Sequence, residues 1–243
     1  MAVLAFIKQH IATTDASSFT FSSTSTGGAN DIGALASDRQ IIIGGSIAAT
    51  TSATRNISSI AAGGVSLTLA TDIQGFRNIG TFRVGRTTIG HALLATATTV
   101  SIVLTATTTV ANCGITVWSA TECSATAATH GSLAFASATV ATMGVTVNTD
   151  GFFSAQCSVL NLSAGNFVWT GATEVHDTTV ETGGHRHAAA DGSSSAAVTI
   201  TATETCFYGA VWIAFDNTLA ADGLFFRKNV HRLGTRVGQR MAV

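Results

Sequence analysis

The sequence has no proline, few charged residues and no long apolar run. Its 243 residues include 12 Lys and Arg and 13 Asp and Glu, so charged residues make up 10% of the chain. The average for soluble domains is about 25%. No apolar stretch approaches the roughly 18 residues that a membrane-spanning helix needs. The start of the chain, MAVLAFIKQH, has no basic residue before its apolar stretch and no clear cleavage site, so it does not match a signal peptide. We therefore expect synthesis in the cytoplasm and no contact with a membrane.

These absences also bear on folding and on the surface. Without proline, no prolyl isomerisation can slow folding, and edge strands need bulges, loops or neighbouring subunits for protection. A chain with so few charges has to cover its surface largely with Ser, Thr, Ala and Gly. We expect part of that surface to be buried against other subunits.

The four cysteines are Cys113, Cys123, Cys157 and Cys206, and none forms a C-x-x-C pair. Cys113, Cys157 and Cys206 lie inside apolar, strand-like runs, where a free thiol behaves as a small hydrophobic side chain. The sequence therefore predicts free, structural thiols, which agrees with synthesis in a reducing compartment.

Runs rich in Val, Ile, Thr and Phe alternate with clusters of Gly, Ser, Asn and Asp, which is the pattern of strands and turns. In TVSIVLT, for example, Val100, Ile102 and Leu104 share one face. The run CFYGAVWIAF is apolar on both faces, which predicts a central strand in a covered sheet. No stretch keeps the apolar spacing of a helix. The predicted strands are 2–7, 18–22, 40–48, 65–70, 81–84, 87–94, 99–105, 113–119, 139–147, 152–160, 166–170, 196–203 and 206–215.

Many short strands at this spacing predict an all-β fold, an antiparallel β-sandwich of jelly-roll-like or immunoglobulin-like topology. The pattern does not distinguish between those two topologies. It continues to about residue 222 and then stops, so residues 1–222 are predicted to form the domain.

The end of the chain carries an unusual share of the positive charge. Residues 1–222 hold 7 basic and 13 acidic residues, a net charge of −6, whereas residues 223–243 hold five basic residues and no acid. Gly234 and Gly238 each disfavour a helix in this segment. Five cations are also too sparse for a nucleic-acid clamp, so we expect no nucleic-acid partner.

We interpret residues 223–243 as an extended arm that docks on a neighbouring subunit. Two aromatic side chains would anchor the root of the arm, and the cations would contact an acidic surface along it. The residues assigned to this arm are Phe225, Phe226, Arg227, Lys228, Arg232, Arg236 and Arg240.

The densest polar segment is TEVHDTTVETGGHRH, which contains Glu174, His176, Asp177, Glu181, His185 and His187. On a strand, His185 and His187 would face the same side, and with a carboxylate they could bind a divalent metal. However, the spacing matches no standard zinc pattern. The run GGHRHAAADGSSS instead favours a solvated hairpin tip, so the sequence predicts no metal and no cofactor.

Signals for catalysis are weak. There is no G-x-S-x-G nucleophile motif, and the acids lie mostly in turn-like segments, so we predict no catalytic residues and no enzyme.

Trp118 and Trp212 lie in apolar runs and are expected in the core. Trp169 precedes a turn and is the best candidate for an exposed ligand platform, with packing in the core or at its rim as the alternative.

Five stretches resemble a loosely defined family of β-sandwich proteins encoded in tailed bacteriophages and prophages. They are IGALASDRQIIIG (32–44), ISSIAAGGVSLTLA (57–70), NCGITVWSA (112–120), FVWTGATEVHD (167–177) and AVTITATETCFYGAVWIAF (197–215). The resemblance implies a β-sandwich virion component, with a Gly-Gly turn in the second stretch and a Trp-Thr-Gly turn in the fourth. It covers residues 18–216 in scattered blocks and leaves out the arm.

Together these observations predict a non-enzymatic structural protein of a phage-like particle, with a capsid cement or decoration subunit as the first choice. Its partners would be copies of itself and other virion proteins, such as major capsid or tail proteins. It would reside in the virion after synthesis in the host cytoplasm. The alternative is a receptor- or glycan-binding module of a tail fibre or head fibre, whose partner would be a host surface glycan. A third hypothesis, a hydrolase, would require a cleft with two opposed carboxylates.

Overall fold

The computed structural model describes residues 2–22, 30–51, 55–74, 84–160, 167–181 and 185–217. These residues form strands and contain no helix. The strands are β1 (Val3–Ala12), β2 (Ala16–Phe21), β3 (Gln40–Ala49), β4 (Ile57–Ala62), β5 (Val65–Ser66), β6 (Thr68–Gln74), β7 (Val84–Leu93), β8 (Ile102–Val110), β9 (Asn112–Thr121), β10 (Thr129–Val145), β11 (Phe152–Leu160), β12 (Phe167–Thr170), β13 (Thr173–Glu181), β14 (His185–Gly192) and β15 (Ala196–Phe215).

All strand pairs are antiparallel, and they form three sheets. The central sheet has the order β1-β9-β3-β7-β6, and the small sheet has the order β2-β8-β4-β5. The folded sheet has the order β10-β15-β11-β14-β13, with β12 also paired to β15. The prediction of an all-β, antiparallel fold is confirmed. The strands occupy three sheets, where a simple sandwich has two.

The central sheet is covered on both faces, which explains its long apolar runs. Every residue of β3 is buried, and alternate side chains belong to different clusters. Ile41, Ile43 and Ile47 pack against the small sheet, whereas Ile42 packs against the folded sheet with Trp118. A strand that is buried on both faces has a nearly continuous apolar sequence. The sequence of β3, QIIIGGSIAA, is of this kind.

The folded sheet bends back on itself through its two longest strands. The pairing of β10 with β15 shifts register between Phe135 and Ala138 and again between Ala138 and Val140, and such bulges bend a strand. The first half of β15 pairs with β12, whereas its second half pairs with β11. The second half is the run predicted to be a central strand, and it does lie between β10 and β11.

A large apolar cluster fills the bend. Met143, Ile200 and Trp169 from the bent part meet Phe153 and Trp212 from the main part of the folded sheet. Trp118 and Trp212 are buried, at 0% and 7% exposed, in agreement with the sequence. The fold therefore has an interior on both faces of the folded sheet.

The two turns implied by the resemblance are present. Gly63 and Gly64, between β4 and β5, have φ angles of 58° and 83°, and Gly171, directly after β12, has a φ angle of 83°. Only glycine adopts such angles without strain. The described residues also contain no helix long and apolar enough to cross a membrane.

The predicted arm lies outside the described residues, which end at Asn217. This holds for all of its assigned residues: Phe225, Phe226, Arg227, Lys228, Arg232, Arg236 and Arg240.

We predict that Cys113, Cys123 and Cys157 resist thiol reagents in the native protein. All three are buried, and none of them is in a disulfide. Burial raises the pKa of the Cys113 thiol, and it raises that of Cys123 to about 12, so little reactive thiolate is present at neutral pH. Mass spectrometry after a brief maleimide pulse should find these three positions unmodified, and a pulse in denaturant should modify them. Rapid modification of Cys113 in the native protein would contradict its burial.

Candidate functional site

The polar segment at residues 174–187 is not a solvated hairpin tip. Its residues lie largely in β13 and β14 of the folded sheet, and His185 and His187 are 1% and 0% exposed. Both imidazoles do share one face, as the spacing predicts, but that face is covered by the central sheet. His176 on the neighbouring strand β13 is half-buried beside them. We call His176, His185 and His187 the histidine cluster.

The central sheet leaves space for the histidine cluster by having small residues opposite it. A Cβ atom added to Gly114 would lie 2.8 Å from His187 Nδ1, and one added to Gly44 would lie 1.8 Å from Gln156 Oε1. A larger side chain at either position would collide with the folded sheet. Two strands of the central sheet are therefore shaped to accept polar side chains from the folded sheet.

A chain of hydrogen bonds joins His187 to His176. The Nδ1 atom of His187 lies 3.2 Å from Gln156 Nε2 and 2.7 Å from Ser46 Oγ. The amide nitrogen of Gln156 can only donate, so Nδ1 accepts and the proton of His187 is on Nε2. That Nε2–H donates to Thr116 Oγ1 at 2.8 Å, and the Thr116 hydroxyl donates to His176 Nε2 at 2.7 Å.

This assignment puts the proton of His176 on Nδ1, which is buried and has no hydrogen-bond partner within the described residues. The rings of His176 and His187 are stacked, with centroids 5.1 Å apart and planes 11° from parallel. Phe6 of β1 lies on the other side, with its ring centroid 6.0 Å from that of His176. His176 is thus the least satisfied member of the cluster and the one closest to the protein surface.

His185 has a hydrogen-bond partner for each ring nitrogen. Its Nδ1 lies 2.5 Å from Asn112 Oδ1, which can only accept, so Nδ1 carries the proton. Its Nε2 lies 3.0 Å from Ser158 Oγ, so the Ser158 hydroxyl donates to it. The partners again come from both sheets, since Asn112 is on β9 and Ser158 is on β11.

All three imidazoles are neutral at pH 7. Burial lowers the pKa of His176 to about 4 and that of His185 to about 3. Burial also lowers the pKa of His187, and the neighbouring His176 and His185 lower it further. Two positive charges at the 5.1 Å separation of the stacked rings would repel by about 3 kcal/mol at an effective dielectric constant of about 20.

Asp177 and Glu174, two of the carboxylates predicted to join these histidines, lie elsewhere. Asp177 points to the opposite face of the folded sheet, where it pairs with Arg186 and accepts a bond from the Phe167 amide. Glu174 is exposed, and the Glu181 side chain lies outside the described residues. In the part of the chain that the structure describes, no group of three His, Cys, Asp or Glu residues is placed to hold a metal ion.

Trp169 is buried in the bend of the folded sheet and is only 8% exposed. Its ring belongs to the apolar cluster there, so it does not present a face to a ligand. Trp169 is therefore packed in the core, which is the alternative to a ligand platform that the sequence analysis kept open.

The sequence gives little sign of the polar partners of the histidines, which are Ser46, Asn112, Thr116, Gln156 and Ser158. In β11, Ser154, Gln156 and Ser158 alternate with Phe153, Ala155 and Cys157. Such alternation normally indicates a strand with one solvated face. In this fold both faces are covered, and the polar face is turned towards the central sheet.

We predict that Gly114→Ala lowers the free energy of unfolding by about 1–3 kcal/mol, the usual cost of overpacking a well-filled interior. The new methyl group would press on His187, whose ring is held by hydrogen bonds on both nitrogens. Gly144→Ala is the matched control, because it is also on a strand but a Cβ there meets nothing within 4 Å. Urea unfolding should show a lower free energy of unfolding for Gly114→Ala and an unchanged one for Gly144→Ala. An equal effect of both changes would contradict the close contact.

No protein family, no curated protein and no solved structure matches this chain. The function of the chain is therefore inferred from its own residues and from the resemblance seen in the sequence.

Proposed function

We propose that this protein is a non-enzymatic structural subunit of a phage-like particle, with capsid cement or decoration as its role. Its partners are copies of itself and other virion proteins. The observation that supports this proposal most directly is an uncharged face on the outside of the bent part of the folded sheet.

The face is built by β10, β15 and β12, whose register places side chains in rows across three strands. Val140 and Val168 flank Thr201 in one row, and Thr142 and Thr170 flank Thr199 in the next. Gly144 and Ala197 continue the face at one end. We call these eight residues the outer face: Val140, Thr142, Gly144, Val168, Thr170, Ala197, Thr199 and Thr201.

No residue of the outer face is charged, and its two valines are 52% and 57% exposed. Interfaces between proteins are depleted of charged residues at their centre, and a flat β-sheet surface with methyl groups and hydroxyl groups can pack against another such surface. Because the outer face has no charge, apposition of two copies would bring no like charges together. The alternating inward side chains, among them Met143, Ile200 and Trp169, are buried and hold the face rigid.

We predict that Val168→Lys weakens self-association and incorporation into particles at least tenfold. A lysine placed without a partner in a buried contact costs several kcal/mol, and 1.4 kcal/mol corresponds to tenfold in affinity. Ser59→Lys is the matched control, since Ser59 is an exposed strand residue of the small sheet, away from the outer face. Sedimentation of the isolated protein and the occupancy of purified particles measure the two effects.

Equal association of the Val168→Lys protein and the wild-type protein would show that the outer face is not the contact. Binding of host surface glycans by the isolated protein, together with a low copy number in particles, would instead support the fibre module. A high copy number would support the decoration role.

The basic segment 223–243 supplies a second, separable prediction. Deleting it should leave the far-UV circular dichroism of the domain near that of the wild-type protein but weaken incorporation into particles. Changing Arg232, Arg236 and Arg240 to Ala should give a milder loss that grows smaller at high salt, because exposed charges are screened. A truncated protein that assembles at full occupancy, or that fails to fold, would rule out the docking arm.

A further inference from the structure

The histidine cluster occupies a position that makes it a candidate for a response to acid. It lies between two sheets, and its member His176 is on β13, which is an edge strand of the folded sheet among the described residues. β1, which supplies Phe6 beside His176, is likewise an edge strand of the central sheet. The contact between the two sheets at this side of the molecule is thus made through an imidazole.

We propose that the histidine cluster is an acid-sensitive contact, in which protonation of His176 releases the β13–β14 edge of the folded sheet from the central sheet. The release does not depend on whether the protein is a virion subunit.

The hydrogen bonds explain why protonation is incompatible with the closed arrangement. His176 Nε2 accepts the hydroxyl proton of Thr116, which in turn accepts from His187 Nε2–H. A proton on His176 Nε2 would turn this acceptor into a donor, so the Thr116 hydroxyl would have to give up its bond and find another acceptor. A proton added to His187 Nδ1 would break its bond with Gln156 Nε2, which is itself a donor, and would leave Ser46 Oγ as the acceptor for Nδ1.

Burial lowers the pKa of His176 more than the backbone of His187 raises it, and the side chains around the cluster offer little compensation for a positive charge. The side chains that face the cluster from β1, β3, β9 and β11 include Gln9, Ser46, Asn112, Thr116, Gln156 and Ser158, which are all neutral. On β1, Lys8 and His10 point to the other face of the central sheet, where His10 contacts Asn30. On β7, Arg86 also points away, towards Asn56.

Two other titratable groups share the interface with the cluster, among the described side chains. His91 of β7 is neutral through burial, which lowers its pKa, and it contacts Gln40 and the edge of Phe215. Asp191 of β14 accepts a bond from Trp118 Nε1, and burial raises its pKa. On β13, Asp177 faces the opposite side of the sheet and is already paired with Arg186. No carboxylate whose side chain the structure describes contacts the three imidazoles. Glu181 lies opposite His185 in the pairing of β13 with β14, and its side chain is outside the described part.

The direction of the pH effect follows from the lowered pKa values. In the unfolded or released state a histidine titrates near its ordinary value of 6.5, whereas in the closed state His176 titrates at about 4. The closed state is therefore fully stable above about pH 6.5 and loses stability as the pH falls from there towards about 4. Each such histidine raises the equilibrium constant for opening by up to about tenfold per pH unit in this window.

The test is urea unfolding of the wild-type protein and of His176→Gln between pH 6.5 and 5.0. The unfolding equilibrium constant of the wild-type protein should rise as the pH falls. Because Gln cannot titrate, the constant of the variant should rise less steeply, by up to about a factor of ten per pH unit. His10 is half-buried, His91 is buried, and burial lowers the pKa of both, so only the difference between the two proteins is assigned to His176. His130→Gln is the matched control, because His130 is exposed and outside the cluster, and it should keep the wild-type steepness. Identical steepness in wild type and His176→Gln would overturn the proposal.

Hydrogen exchange on the wild-type protein tests where the opening occurs and needs no variant to fold. After correction for the intrinsic effect of pH, protection of residues 173–181 and 185–192 should fall at least tenfold between pH 6.5 and 5.0. Protection of β4 and β8 in the small sheet should change less, since these strands do not contact the cluster. An equal fall in both regions would show global unfolding without local release, and no fall in either would show that the contact does not respond to acid. Either outcome would overturn the proposal.

Discussion

The packing of the folded sheet on the central sheet is the contact on which the rest of the molecule depends. One part of this interface is apolar and contains Ile42, Trp118 and Phe215. Another part holds three imidazoles with hydroxyl and amide partners from both sheets. A buried polar group without a partner costs about 1–3 kcal/mol, so donors and acceptors must alternate along the chain of bonds from Gln156 through His187 and Thr116 to His176. That requirement fixes the distance and register between the two sheets more narrowly than apolar packing would.

The same constraint accounts for several features that look unrelated. Gly44 and Gly114 lie in buried strands, where glycine is normally unfavourable, because the side chains of the folded sheet occupy the space that a Cβ atom would need. The ring of His187 stays neutral because its burial lowers its pKa, and the neighbouring His176 and His185 lower that pKa further. The bend of β10 and β15 then covers the opposite face of the folded sheet with Met143, Ile200 and Trp169. One face of the folded sheet is thus held by hydrogen bonds to the central sheet, and the other face is held by apolar packing in the bend.

The distribution of polarity distinguishes this protein from a typical soluble domain. Three imidazoles are gathered in a closed interior, whereas the outer face presents threonine and valine to the surroundings. An interior of this kind suits a protein that acts through the shape of its surfaces, and it agrees with the assembly role that we propose. The histidine cluster adds a way in which the solution pH could alter the rigidity of one edge without any ligand.

The sequence by itself determined the strand class, the apolar character of β3 and of the second half of β15, and the burial of Trp118 and Trp212, and the family resemblance added the glycine turns after β4 and β12. These follow from local rules, because side-chain periodicity and glycine conformation act over a few residues. It did not determine that His176, His185 and His187 are buried. The alternation in β11 and the polar run in β13 and β14 are those of solvated strands or loops, and only the central sheet packed over them makes them interior. Which face of a strand meets water is decided by partners distant in the chain, such as Ser46 and Thr116, and for that reason tertiary structure alone decided it.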